Sequence, residues 1–182
     1  MKPAIHVPPT VEELKSRFNY DPETGVVTNN VPASRNVKQG TRVGCPDSKG
    51  YLTVRVNTRL YKLHLVIWKL YYGDWATQQI DHINGIRSDN RISNLRLATG
   101  SQNNYNSAVR SDNTSGYKGV SWHKRDKKWH ARVNNICLGA FYVKEDAIAA
   151  RNAAAKEKHR DFYCVGDRKT TAGNLPDASH LP

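Results

Sequence analysis

Apolar and polar positions alternate along this chain in two rhythms, and the switches between them mark out its elements. Leu63, Val66, Ile67 and Leu70 fall at i, i+3, i+4 and i+7, which predicts a short amphipathic helix closed by Gly73. Just upstream, residues 51–56 (Tyr-Leu-Thr-Val-Arg-Val) alternate with the period of a strand and are rich in β-branched side chains. Near the start, residues 11–18 predict a helix with Thr10 as N-cap and Glu13 three positions on, the pattern of a capping box. Residues 18–27 read as strand, turn, strand, punctuated by Asp21-Pro22 and Gly25, and the basic stretch 30–50 reads as loop. Residues 79–83 and 95–97 are two short strand candidates around a polar loop, 84–93, with Gly85 and Asn90 as turn residues. Thr99 and Gln102 form a second capping box, so a helix starts there. The sequence thus predicts strand, loop, strand, helix over 78–106.

Beyond 106 the pattern weakens and then resumes. Residues 107–115 are polar and short of large apolar side chains, the composition of an interdomain linker. Three strand candidates follow at 117–123, 129–134 and 136–142, joined by a basic turn at 124–128 and by Asn134-Asn135. Residues 147–159 are alanine-rich and free of helix breakers, hence helical. The tail from 166 to 182 has no core-forming pattern and is expected to be mobile. The fold class is α+β in two domains, 1–106 and 116–165.

Composition narrows the partners. The net charge is +12, from 28 Lys and Arg against 16 Asp and Glu, and both halves carry the excess, as expected of a chain lying along a polyanion. Three widely spaced cysteines (Cys45, Cys137, Cys164) form no CxxC pair, which argues against a disulfide framework and a cysteine-ligated zinc site. The N-terminus lacks the apolar core of a signal peptide, and no run approaches the ~20 residues of a membrane helix. The expectation is a soluble cytoplasmic protein.

Chemistry concentrates at Asp81-His82, with Asn94 and Asn103 downstream. A histidine titrates near neutrality and can take a proton from water. An Asp carboxylate and an Asn carbonyl are hard oxygen donors, suited to Mg²⁺ or Mn²⁺ and not to zinc. His64 lies on the predicted helix, where packing is the expected role. Arg87, Arg91 and Arg96 surround the pair and are candidates for phosphate contact.

Ile80-Asp81-His82-Ile83-Asn84-Gly85, Ser88-Asp89-Asn90-Arg91-Ile92-Ser93-Asn94-Leu95-Arg96 and Ser101-Gln102-Asn103-Asn104 closely resemble the HNH homing endonucleases of phages, and the resemblance extends over roughly 11–106. It implies a ββα-metal nuclease core. His82 would be the general base, Asp81 and Asn103 the metal ligands, and Asn94 a structural residue whose side chain holds the loop backbone and so His82. The cofactor implied is one divalent ion, Mg²⁺ before Mn²⁺. This chain has Asn103 where many HNH enzymes have their last histidine, which removes an imidazole ligand. A neutral His82 is required, so activity should rise through its pKa toward mildly alkaline pH.

Tyr117-Lys118-Gly119-Val120, Trp129-His130-Ala131-Arg132-Val133, Leu138-Gly139-Ala140-Phe141 and 145–150 resemble the APETALA/ethylene-response-factor DNA-binding domain. That family lays a three-stranded antiparallel sheet, packed on one helix, in the major groove. The resemblance implies DNA contacts from Lys118, Trp122, Lys124, Arg125, Lys128 and Arg132. Ser121 replaces an arginine of the plant members, so single base contacts do not transfer. Trp129 and Phe141 equally suit core anchors under the helix. The combined expectation is a homing endonuclease acting on double-stranded DNA, as monomer or homodimer. Its rivals are a DNA-binding regulator that no longer cuts and a nuclease for structured DNA or RNA.

Overall fold

The computed structural model describes residues 7–32, 34–35, 37–107, 109–110 and 112–163. Cys164 and the tail expected to be mobile lie outside these residues. The chain divides into two compact units, Met1–Ala98 and Thr99–Pro182. The helix after Thr99 therefore groups with the second unit, whereas the sequence pattern placed it in the first domain.

Local signals start the first unit. Thr10 accepts a hydrogen bond from the Glu13 amide (3.2 Å) and donates its own amide to the Glu13 carboxylate (2.9 Å), capping α1 (Val11–Arg17) at both expected points. α1 runs into β1 (Phe18–Asp21), which pairs antiparallel with β2 (Val26–Asn29) across a turn tied by the Thr24 hydroxyl to Asp21 at 2.6 Å. β3 (Cys45–Pro46), β4 (Leu52–Val56) and β5 (Arg59–Lys62) form an antiparallel sheet in that order. Two of these strands escape the sequence pattern. β3 is a two-residue strand inside the stretch read as loop, and β5 is mostly polar, reached through a turn whose Asn57 and Thr58 both have positive φ without glycine.

α2 (Leu63–Tyr72) follows directly and ends where Gly73 adopts φ +87°, a conformation that costs other residues about 1–2 kcal/mol. Its predicted stripe is buried: Leu63, Val66, Ile67 and Leu70 join Leu14, Phe18, Val27, Val54, Val56, Ile80 and Leu95 in one core. At roughly 1.5–3 kcal/mol for each large aliphatic side chain removed from water, this core holds the unit together. β6 (Gln79–His82) and β7 (Leu95–Ala98) complete it as an antiparallel pair, with Ile80 and Leu95 anchoring each strand in the core.

In the second unit, α3 (Gly100–Asn106) begins at a second capping box between Thr99 and Gln102. β8 (Val120–His123), β9 (Lys128–Val133) and β10 (Ile136–Phe141) form an antiparallel sheet in the order β10-β9-β8. α4 (Lys144–His159) contributes Ala147 to a core with Val120 and Ala131, and Tyr117, Trp129, Leu138, Phe141 and Ile148 pack around it. Alternation along the strands puts Val120, Ala131 and Val133 on the buried face and leaves Ser121, His123, His130 and Arg132 on the other.

Candidate functional site

His82 ends β6, and its ring is 4% exposed. The ring Nε2 lies 3.1 Å from Asn90 Oδ1. An amide oxygen accepts only, so with Asn90 in this orientation the contact is made by a protonated Nε2. Burial lowers the His82 pKa from its ordinary 6.5, against the opposing Asn90 bond and the charges of Asp81 and Asp89. The ring is therefore neutral at neutral pH, the state in which it can accept a proton.

Asn90 was legible in the sequence only as a turn residue. It is 1% exposed, and its carbonyl accepts a hydrogen bond from the Tyr20 hydroxyl at 2.9 Å. Pro22 O accepts from the Ile92 amide at 3.2 Å. The β1–β2 hairpin is thus latched to the segment that positions His82. Two further aromatic rings close the pocket. His64 meets His82 edge-on at 5.1 Å, and Tyr51 is 5.4 Å from His64 and 5.9 Å from His82. Burial, with His82 and Lys62 adding, pushes the His64 pKa down to about 3, so this histidine is a neutral packing element.

Asn94 clamps the loop. Its Oδ1 accepts from the Asn84 amide (3.0 Å), and its Nδ2 donates to Asn84 Oδ1 (3.0 Å) and to the Asp89 carbonyl (2.8 Å). The Asn94 carbonyl also accepts from the Ile83 amide at 2.9 Å, one residue beyond His82. One side chain therefore fastens both ends of the loop to each other.

Asp81 is 6% exposed and faces Arg96, its register partner across β6–β7. Arg96 donates from Nε (3.0 Å) and Nη2 (2.8 Å) to the same Asp81 oxygen, Oδ2. This bidentate grip orients the carboxylate in a buried setting. Arg96, expected from the sequence to contact phosphate, is occupied by Asp81 here. Arg91 likewise makes two bonds to Asp89 (2.9 and 2.6 Å), and Arg87 donates to the Lys49 carbonyl at 2.7 Å while lying over the Tyr51 ring. Asn103 sits half-buried on α3 in the second unit. The Asp81 carboxylate lies in the first unit and the Asn103 amide in the second, and each side chain offers a hard oxygen of the kind Mg²⁺ or Mn²⁺ takes.

In the second unit the basic side chains separate into distinct settings. Arg132 is exposed on the open face of the sheet, and Lys124 and Arg125 are exposed in the β8–β9 turn. Lys128 lies 4.4 Å from the Tyr142 ring centroid. The Lys118 ammonium is surrounded by oxygens at the C-terminal end of α3, accepting partners being the carbonyls of Asn104, Tyr105 (3.3 Å) and Ser107 (3.1 Å) and the Ser107 hydroxyl (2.9 Å). A cation there satisfies carbonyls that the helix end leaves unpaired. Trp122 shares the helix-side face with Val120 and meets Trp129 at 5.2 Å, although it is 44% exposed.

Residues 61–105 match the family model for HNH endonuclease, so the matched segment holds Asp81, His82, Asn90, Asn94 and Asn103. Protein 3.8 of Escherichia phage T7 is 37% identical over 71 residues, a match covering 38% of this chain and 59% of that relative. The match thus spans less than two thirds of the phage protein's length. No solved structure matches the chain. Among the described residues, no helix is long and apolar enough to cross a membrane.

Proposed function

We propose that this chain is a metal-dependent HNH endonuclease that hydrolyses phosphodiester bonds in double-stranded DNA, with the second unit guiding target choice. The observation that carries this reading is the buried His82. Its Nε2 lies 3.1 Å from Asn90 Oδ1, which fixes the ring at the end of a strand whose neighbouring residue is a carboxylate gripped by Arg96. His82 Nδ1 takes a proton from water as that water attacks phosphorus. Asn90 holds the ring through the proton transfer, accepting from Nε2–H in both the neutral and the protonated state. Asn94 keeps the loop from drifting, and Arg96 keeps Asp81 from rotating out of place. Asp81 and Asn103 would hold the divalent ion, whose chemistry is to polarise the scissile phosphate and stabilise the leaving oxygen.

Exposed Arg132 on the three-stranded sheet and exposed Lys124 and Arg125 in its β8–β9 turn support a groove-reading role, since a small sheet fits the major groove and its basic side chains can meet phosphates and guanine edges. Tethering this module to a nuclease raises the effective concentration of the cutting site on its target. The homing role in this proposal rests on the resemblance of residues 80–104 to the phage homing endonucleases.

The test is cleavage of supercoiled plasmid carrying candidate target DNA, with Mg²⁺, by the native chain and by His82→Ala, with gel retardation run in parallel. Native protein is expected to nick or linearise the plasmid, and His82→Ala to bind without cutting. If native protein retards DNA yet never cuts it, the chain is a regulator and the nuclease reading fails. Preferential cutting of a branched junction or of RNA would overturn the duplex assignment.

A further inference from the structure

A second cluster of ligating side chains lies away from the Asp81–His82 site, on the β8–β9 hairpin. His123 ends β8, Asp126 sits in the turn, and His130 stands on β9. His123 pairs with Lys128 and Ser121 pairs with His130, so the two histidines are diagonal neighbours on the open face of the sheet. Their rings stack at 4.6 Å with an interplanar angle of 15°. His123 Nδ1 is 3.0 Å from Asp126 Oδ2, and His130 Nε2 is 3.3 Å from the same oxygen. One potential ligand atom from each residue falls within 4.8 Å of the other two.

Hydrogen bonding alone serves this cluster poorly. The Asp126 amide donates to His123 Nδ1 at 3.3 Å, which requires a lone pair on that nitrogen. The carboxylate oxygen beside it requires a proton on the same nitrogen, and one atom cannot offer both. His130 Nε2 is buried and has no hydrogen-bond partner among the described residues, although it lies within 3.3 Å of the carboxylate. A buried polar nitrogen left in this state costs about 1–3 kcal/mol. A cation among the three atoms would use both nitrogen lone pairs and the carboxylate together, once the two rings turn out of their near-parallel stack so that both in-plane lone pairs face it and the Asp126 amide releases His123 Nδ1.

Distances agree with that role. Metal–nitrogen and metal–oxygen bonds of about 2.0–2.2 Å at tetrahedral angles put neighbouring ligand atoms about 3.3 Å apart. The two nitrogen–oxygen separations already match, and the two nitrogens need to close by no more than about 1.5 Å to reach the same spacing. Two imidazoles and one carboxylate select a borderline ion of the Zn²⁺, Co²⁺ or Ni²⁺ class over Mg²⁺ or Ca²⁺. We propose that His123, Asp126 and His130 form a binding site for such an ion, tying the turn to both strands and leaving a fourth position to solvent. Zinc was excluded from the sequence because the cysteines form no CxxC pair and the donors at Asp81 and Asn103 are hard oxygens, and this site uses neither set. The site is independent of the nuclease reading, because the donors assigned to nuclease chemistry are hard oxygens on other elements.

The test is titration of the full chain with Co²⁺ in excess Mg²⁺, followed by visible absorption, with Zn²⁺ as competitor. One Co²⁺ per chain is expected, displaced by Zn²⁺ and not by Mg²⁺. The bands should vanish in both Asp126→Ala and His130→Ala and survive in Asp81→Ala. Zn²⁺ should also raise the thermal midpoint of the native chain and of Asp81→Ala, but not of the two hairpin variants. Metal-free melting at the native midpoint shows that the hairpin variants fold, and His123→Ala serves where one does not. The proposal is overturned by absent bands, by displacement with Mg²⁺, or by bands that survive in Asp126→Ala and disappear in Asp81→Ala.

Discussion

Gly25 and Gly85 have almost the same backbone conformation, φ +72° and +73°, but different surroundings, and this makes them a matched pair for testing how His82 is held. A Cβ on Gly85 meets nothing within 4 Å. A Cβ on Gly25 would lie 2.5 Å from the Arg91 nitrogen and 2.6 Å from the Asn90 carbonyl carbon. Both replacements by alanine carry the left-handed cost of about 1–2 kcal/mol. Both also recover a few tenths to about 1 kcal/mol by restricting the unfolded chain, so that contribution cancels in the comparison. Only Gly25→Ala must in addition push backbone away from backbone. Overpacking of this kind costs about 1–3 kcal/mol, because no side chain can rotate aside. The expected difference is therefore about 1–3 kcal/mol, with Gly25→Ala the less stable. Urea unfolding of the two variants and the native chain, followed by tryptophan fluorescence, measures it. Equal losses would refute the claim that the β1–β2 hairpin presses on the Asn90 segment, and with it the account of what buttresses His82.

Three further outcomes follow from the same site. Asn94→Ala removes three side-chain hydrogen bonds and leaves the Asn84 amide and the Asp89 carbonyl without that partner, so thermal or chemical unfolding should show a loss of about 2–4 kcal/mol; a loss under about 1 kcal/mol would mean that the loop does not depend on this clamp. Folded His64 stays neutral down to about 3, whereas the unfolded residue takes a proton near 6.5. The unfolded chain thus binds more protons across that window, and stability should fall with decreasing pH by about 1.4 kcal/mol per unit, a slope that His64→Leu should reduce by one proton's worth. An unchanged slope in that variant would place the titrating group elsewhere. Asn90→Asp puts a negative charge on His82 Nε2, favours the imidazolium, and should move the acid limb of the cleavage profile to higher pH by about one unit or more; an unmoved limb would remove Asn90 from its positioning role.

Elements closed by local chemistry were readable from the residues themselves. Thr10 with Glu13 and Thr99 with Gln102 cap helices where predicted, because a capping box involves only residues three apart. The Leu63–Leu70 stripe was readable because burial of one helix face imposes a period. β5 was not, since Arg59–Lys62 is held by pairing with β4 and has little apolar pattern of its own. Arg96 shows the same limit in the site. Its sequence position suggests a phosphate contact, yet the β6–β7 register places it opposite Asp81, and that pairing decides where its charge goes.

The chain's sequence determined which chemical groups are available: a histidine, a neighbouring carboxylate, two spaced asparagines and a surplus of positive charge. Tertiary structure alone decided their states. Nothing in the order of residues says that Asn90 accepts from His82 Nε2, that Tyr20 and Gly25 brace Asn90 from the first hairpin, or that His123, Asp126 and His130 converge. Those relations depend on distances of a few ångströms set by strand pairing and loop packing, across 70 positions for Tyr20 and Asn90 and within a single hairpin for the histidine–aspartate trio, and proton positions follow those distances. Residue type sets what a group can donate or accept, and packing sets which of those options is used.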